Sequence, residues 1–212
     1  MRVGMRGARL VAAGMAVGLL VAGCTSSSGS GSSGAGPGAG SGAASDNPAM
    51  SRAATAYVLP ACPSLPHQRV VAGGLPDLRL PCLGDGPAVS LADLRGTPTV
   101  LEVWAAWCTI CAEEMPIVAR GMAKAGDRVR FFGVHYKAPA AYGRQSAADF
   151  GVPYPSVQDA DGDKTVLALK ATAPPQMFFV DAAGRVRGHL VGAVRSDAEL
   201  ADLVTRYLGV TL

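Results

Sequence analysis

Thr99-Val100-Leu101-Glu102-Val103-Trp104-Ala105-Ala106-Trp107-Cys108-Thr109-Ile110-Cys111 is the stretch whose reading decides the fold. Its apolar run, broken only by Glu102, reads as a buried strand, and from Cys108 onward the chain reads as the first turn of a helix. Two cysteines three apart share one helix face, close enough for their sulfurs to join. The first sits where unpaired backbone N–H groups and the positive end of the helix dipole stabilise a thiolate, and the next turn covers the second. An exposed, acidified thiol beside a sheltered resolving thiol is what thiol–disulfide exchange requires.

The start of the chain has a different character. Met1 to Leu10 carries Arg2, Arg6 and Arg9 and no acid, and Leu10 to Gly23 is almost wholly small or apolar. A charged start followed by an apolar run too short for a comfortable membrane span predicts an export signal over residues 1–23. It ends Leu20-Val21-Ala22-Gly23-Cys24, which resembles the bacterial lipobox. The resemblance implies that Cys24 is diacylated, becomes the mature N-terminus and anchors the protein on the extracytoplasmic face of the cell membrane. An ordinary cleaved signal and an uncleaved anchor stay open as alternatives.

The chain holds 19 Lys and Arg against 16 Asp and Glu. Removing the three signal arginines leaves 16 against 16, so the basicity belongs to targeting and the remainder is close to neutral. Nothing here reads as a nucleic-acid surface. Residues 24–56 are dominated by Ser, Gly and Ala, and Thr25 to Ser45 carries no charge at all. Such a segment buries too little apolar surface to offset its ordering entropy and predicts a flexible tether. Its root-mean-square span is roughly 30 Å. Residues 57–212 remain for one domain with an N-terminal extension.

Five cysteines less Cys24 leave Cys62, Cys82, Cys108 and Cys111. An exported location is oxidising, so paired thiols are expected. Local geometry favours Cys108 with Cys111, which leaves Cys62 with Cys82. Closing that loop would stabilise the fold by roughly 3 kcal/mol in the chain-entropy model. A structural staple is the reading of this second pair, with a redox or resolving role as the alternative.

Along the domain, residues 77–83 and 88–91 read as a short hairpin around Gly84-Asp85-Gly86. After the Cys108 helix, which Pro116 should kink, residues 128–134 read as a buried strand and 140–150 as a helix ended by Gly151-Val152-Pro153. A short helix follows over 163–171. Residues 176–180 and 185–191 alternate around Asp181-Ala182-Ala183-Gly184 as a hairpin. Residues 196–208 close the chain as an amphipathic helix capped by Ser196 or Asp197. This is an α/β order, with an insertion after the second strand of the main sheet.

From about Gly74 to the end the chain resembles the TlpA/ResA group of extracytoplasmic thioredoxin-like thiol–disulfide oxidoreductases. The resemblance is carried by Leu91-Ala92-Asp93-Leu94-Arg95-Gly96, the run Val100 to Cys111, Glu114-Met115-Pro116 and Phe132-Gly133-Val134. Pro175-Gln176-Met177-Phe178-Phe179-Val180-Asp181 with Gly184 completes it. It implies a thioredoxin fold, with a central mixed β-sheet flanked by helices and an N-terminal β-hairpin extension. It also implies that Cys108 is the nucleophile, Cys111 the resolving thiol and Pro175 a cis-proline whose loop meets an extended substrate segment. Pro174 stands where many relatives carry a small polar residue, and Trp107 is a rim residue able to shield the disulfide and contact partners. Glu102 stands where thioredoxins hold a buried acid; a carboxylate buried there would have a raised pKa and could take the proton from Cys111. An acid reaching solvent at a sheet edge is the plainer alternative.

The function implied is reduction of disulfides in exported proteins, apocytochrome c among them, recharged by a membrane thiol electron carrier. No cofactor is expected beyond the Cys108–Cys111 disulfide, and no metal. An oxidant forming disulfides in exported proteins is the alternative within the class. A Sco-like copper-handling protein is the alternative outside it, with His135 as its one candidate ligand; His67 and His189 read as surface residues. Sco proteins, however, space their cysteines one residue further apart. Peroxidase chemistry is disfavoured because Ala105 occupies the place where peroxiredoxins carry threonine.

Overall fold

A computed structural model of the protein describes residues 57–212. The expected signal (1–23), the lipid site Cys24 and the tether (24–56) lie outside the described residues. Two short strands come first, β1 (Arg79–Leu80) and β2 (Val89–Ser90), then β3 (Thr99–Trp104) and α1 (Thr109–Ala125). They are followed by β4 (Arg130–Tyr136), α2 (Ala140–Phe150), β5 (Ser156–Asp159) and α3 (Asp163–Leu169). The chain closes with β6 (Gln176–Val180), β7 (Val186–Val191) and α4 (Asp197–Leu208).

The main sheet has the order β5-β4-β3-β6-β7, with β3 in its centre. β4 runs parallel to β3 and to β5, whereas β6 runs antiparallel to β3 and β7 to β6. This mixed five-stranded sheet with helices against it is the thioredoxin-type fold that the sequence implied, and the β1–β2 pair is the extra N-terminal hairpin. All six residues of β3 are buried. Alternation sends Val100, Glu102 and Trp104 to one face of the sheet. Helices α1 and α4 pack on that face: Phe179, partner of Val100, lies 5.2 Å from the Tyr207 ring of α4. Gly121 of α1 makes room for Leu200 of α4.

The element boundaries differ from the sequence reading in instructive ways. The strand expected at 128–134 begins at Arg130, because Arg128 is occupied elsewhere. Its guanidinium donates to the carbonyls of Lys124 and Ala125 at the end of α1 and of Thr211. The N-terminal hairpin is shorter than expected. Pro81 turns the chain toward β5, and Leu91 enters a 3-10 turn (Leu91–Asp93). The short helix stops at Leu169 rather than Ala171, since Lys170 is left-handed at φ 56°. α1 continues as one helix through Pro116, and Ser196 is the cap of α4, its Oγ accepting from the Glu199 N–H at 3.1 Å.

β5 is the strand that sequence reading missed. It is four residues of mostly polar character between a Pro-rich approach and a turn, with no apolar run to betray it. Tertiary pairing makes it. One side is hydrogen-bonded to β4, and on the other the N-terminal extension binds it: Leu83 N–H donates to Ser156 O (2.8 Å) and Gln158 N–H to Pro81 O (2.9 Å). An edge that would otherwise offer free backbone groups is thereby covered. Cys82, bridged to Val157, sits in this contact and is joined to Cys62, with a Cα–Cα distance of 5.9 Å.

Gly133 ties this edge to the sheet centre, because it lies between Glu102 of β3 and Ser156 of β5. A Cβ placed there would run into Ser156 Oγ, Tyr154 Cε2 at 2.8 Å and Trp104 Nε1 at 2.9 Å. Gly133→Ala is therefore expected to lower stability by about 1–3 kcal/mol through overpacking. Denaturant unfolding measures this, and a neutral variant would show that β5 yields without cost.

Candidate active site

The end of β3 and the start of α1 place the two cysteines. Cys108 is the N-cap of α1 in extended backbone, and its Sγ accepts from the Cys111 N–H at 3.1 Å. Cys108 and Cys111 are joined in a disulfide with their Cα atoms 5.2 Å apart. The sequence suggested one exposed and one sheltered thiol. In this oxidised form the contrast is small, 6% against 0% exposure, because the bond draws Cys108 down against the helix. Its neighbours Trp107 (56%), Thr109 and Ile110 (55%) are exposed. Trp107 is held by its Nε1–H donating to Lys137 O at 3.1 Å and by an edge-on contact with Tyr136. Trp104, by contrast, is fully buried, with its Nε1–H on Ser156 Oγ.

Beside Ile110 opens a groove of about 560 Å³ with apolar walls formed by Ile117, Pro174, Pro175, Val191 and Val194. The Pro174–Pro175 peptide bond is cis. Neither proline has an N–H to offer. The carbonyl of Ala173 is taken by Gln176 Nε2–H and that of Pro175 by Gly192 N–H, which leaves the Pro174 carbonyl as the remaining acceptor of this loop. Glu113, Glu114 and Arg195 are the ionisable side chains on the groove.

Two acids are buried between the sheet and α1, Glu102 from β3 and Glu114 from α1, each only 1% exposed. Glu102 is therefore not an edge residue reaching solvent. The Tyr154 hydroxyl donates to Glu102 Oε2 at 2.7 Å, and the Val194 N–H to Glu114 Oε2 at 3.0 Å. Burial first, then the neighbouring Glu114 carboxylate, holds Glu102 well above the ordinary carboxylate value of 4.5, with the Tyr154 hydroxyl opposing. Burial raises Glu114 to about 7, against hydrogen bonds from Glu102 and Val194 N–H that lower it. Glu114 received no role from the sequence alone. Its spacing was the available signal, since three residues after Cys111 on a helix is the same face. Tyr154 gave no such signal; it lies 52 residues from Glu102 and follows a proline.

The remaining candidates are dispersed. His135 is fully buried, its ring 4.8 Å from Trp104, and burial lowers it to about 4. His67 and His189 are exposed. Among the described residues, no three His, Cys, Asp or Glu side chains converge to hold a metal ion.

The buried acids make stability depend on pH. Between pH 4.5 and about 7 the folded protein keeps the Glu114 proton that the unfolded chain has released, so this contribution is full below 4.5 and lost as pH rises through about 7. His135 works the other way. It is buried neutral, so its contribution is full above 6.5 and lost as pH falls toward about 4. A wild-type comparison with Glu114→Gln isolates the acid. The variant is expected to gain relative stability across pH 4.5 to 7, by up to about 3 kcal/mol. Denaturant unfolding at several pH values measures this, and a pH-independent difference rejects the raised value.

The geometry has counterparts among known proteins. The Redoxin family model matches residues 71–205, well over half of the chain. The thiol:disulfide interchange protein DsbE of Pseudomonas fluorescens biotype C is 33% identical over 140 residues, 66% of this chain and 76% of that protein. DsbE of Xylella fastidiosa is 36% identical over 121 residues, 56% of this chain and 60% of its own length. Among solved structures, MTB dsbF in its mixed oxidized and reduced forms aligns with a TM-score of 0.55 at 29% identity, over 62% of this chain and 97% of that one. With its sheet order, its helix-capping disulfide and this match, the chain belongs to the Redoxin family, as a thiol–disulfide oxidoreductase of thioredoxin-like fold.

Proposed function

We propose that this oxidoreductase works outside the cytoplasm and reduces disulfides in specific exported proteins, apocytochrome c among them, with Cys108 as nucleophile and Cys111 as resolving thiol. The observation that carries the reading is the Cys108–Cys111 disulfide at the N-cap of α1, beside an apolar groove. The relatives named thiol:disulfide interchange proteins support it. The Cys111 N–H, which reaches Cys108 Sγ, also serves a Cys108 thiolate, and the start of α1 favours negative charge there. That lowers the thiol's pKa and raises the thiolate fraction available for attack.

The chemistry balances as an exchange of two electrons. In the reduced protein the Cys108 thiolate attacks one sulfur of the partner disulfide, and the other partner sulfur leaves as a thiolate. Cys111 then loses its proton to a buried acid and attacks Cys108 Sγ. The bond between Cys108 and the partner breaks, the second partner sulfur leaves, and the Cys108–Cys111 bond closes. The partner gains two electrons and the protein is oxidised; a dithiol carrier on the membrane restores it by the same steps in reverse. Trp107, Ile110, Pro174 and Pro175 form the surface on which the partner segment lies.

Diacylation of Cys24 would hold the domain at the membrane on the tether of residues 24–56. The lipobox-like run Leu20 to Cys24 supports this placement. Among the described residues no helix is long and apolar enough to cross a membrane. The Cys62–Cys82 bond acts as the staple of the extension against β5. Mass spectrometry of the membrane-extracted protein tests the anchor, and a Cys24→Ala chain is expected to lose the lipid and appear in the soluble fraction.

Equilibration with glutathione or dithiothreitol tests the redox role. One two-electron couple is expected, more reducing than the glutathione pool, kept in Cys62→Ala/Cys82→Ala and lost in Cys108→Ser. That double variant is expected to be less stable by about 3 kcal/mol. Cys111→Ser is expected to accumulate the mixed disulfide with its partner. An oxidising couple would move the assignment to disulfide formation, and no couple at Cys108–Cys111 would end the enzymatic reading.

A further inference from the structure

The surface around the disulfide has two walls from distant parts of the chain. β3 lies between β4 and β6 in the sheet. Trp107 therefore meets the residues that end β4, whereas the groove loop, residues 172–175, leads into β6. That loop is anchored to the sheet at its far end. Gln176 Nε2–H donates to Ala173 O at 2.8 Å, and Gln176 Oε1 meets His189 Nε2 at 2.8 Å. Its near end is held by a different residue. The Thr172 carbonyl accepts from the Tyr136 hydroxyl at 3.3 Å. Tyr136 closes β4 and is only 4% exposed, and its ring also lies edge-on to Trp107, with centroids 6.4 Å apart. One buried side chain thus touches both walls.

We propose that Tyr136 is a positioning residue that braces these two walls, fixing Trp107 and the loop 172–175 relative to one another and to the disulfide. The inference rests on Cys108–Cys111 being the exchange centre, and it adds how the partner surface beside that centre is held. The backbone next to Tyr136 supports the brace. Lys137 is left-handed at φ 51°, a conformation that residues other than glycine seldom adopt and that tends to be kept where geometry matters. Its N–H donates to Asp159 O at 2.9 Å, and its carbonyl accepts from Trp107 Nε1–H at 3.1 Å. Two consecutive residues therefore hold the same indole, one through a ring and the other through a carbonyl. Gly162 gives the Tyr136 ring its seat. A Cβ there would stand 2.6 Å from Tyr136 Cε2 and 3.0 Å from Lys137 Cβ, so any side chain at this position would displace the ring.

Trp107 is more than half exposed, and Thr172 and Ala173 are exposed as well. Burial does not fix either wall, so their placing depends on contacts such as these. With the brace in place, the Pro174 carbonyl, the remaining acceptor of the loop, stands at a set distance from the Trp107 ring. A partner segment laid between them then meets Cys108 in one register. Without the Tyr136 hydroxyl the loop is free to shift at Thr172, which weakens the placing of a peptide segment and leaves the two sulfurs as they were. A small disulfide that meets Cys108 alone does not sense the walls.

Tyr136→Phe in the full-length protein separates a brace from plain packing, because the ring stays and only the hydroxyl goes. The reduced protein is assayed with hydroxyethyl disulfide and with a model peptide disulfide that carries apolar flanking residues. For the peptide, kcat/KM is expected to fall about fivefold, chiefly through KM. For hydroxyethyl disulfide it is expected to stay within about twofold of wild type. Equal losses toward both substrates, or no loss toward the peptide, overturn the role. A double-mutant cycle with Trp107→Ala tests the coupling of the walls. In that background the hydroxyl is expected to matter by less than about twofold, and an undiminished loss overturns the brace. Proton–nitrogen NMR spectra read the same coupling without turnover. The Trp107 indole signal is expected to shift in Tyr136→Phe, and the Thr172 and Ala173 amide signals in Trp107→Ala; if neither moves, the walls are independent and the proposal fails. A protein that exchanges with neither disulfide would defeat the functional reading instead, while the NMR spectra would still decide the brace.

Discussion

The junction at which β3 ends and α1 begins sets the position of every group in the site. β3 is paired along its length on both sides, to β4 and to β6, so its end is fixed in three dimensions. The next residues break from strand to helix, and Cys108 falls on the cap position where its sulfur meets the Cys111 N–H. A disulfide there is both buried by the helix and electrostatically favoured as a thiolate when opened. The same junction lifts Trp107 and Ile110 outward, because they flank the cap rather than face the sheet.

Fixing the disulfide over the centre of the sheet has a consequence for the layer below. Glu102, at the middle of β3, and Glu114, on the buried face of α1, come within reach of one another, each almost wholly removed from solvent. A hydrophobic pair at these positions would favour the fold more strongly at neutral pH, since desolvated acids are costly there. Acids there offer a proton acceptor, which a hydrophobic pair would not. Among the described residues Tyr154 supplies the side-chain hydroxyl that reaches Glu102, and it is held by the segment leading into β5. That segment depends in turn on the extension that covers the outer edge of β5 and carries the Cys62–Cys82 bond. A feature that looks peripheral thus supports the surroundings of the buried acid.

Much of this was legible in the residues. The strand Thr99–Trp104, the helix after Cys108, the helix at 140–150 and the closing hairpin follow from hydrophobic periodicity, and their boundaries agree closely with the structure. β5 was not legible, because Ser156-Val157-Gln158-Asp159 has no apolar pattern and owes its conformation to partners on both sides. Arg128 misled the reading of β4, since its role as a cap for the carbonyls ending α1 depends on where Thr211 lies. Glu114 was half legible: its helical spacing from Cys111 was present, but the reason to regard it as titratable was not.

By itself the sequence determined the pairing-competent cysteines, their place at a strand-to-helix junction and the class of fold. Those follow from local periods, from the three-residue spacing and from the chemistry of sulfur at a helix start. Only the tertiary structure decided which acids are buried together between β3 and α1 and which loop lines the groove. Burial and proton affinity depend on what stands within a few ångströms, and here the decisive neighbours come from β3, α1, the approach to β5 and the start of α4. No local pattern carries such distances, because they are set by the way the sheet and helices close on one another.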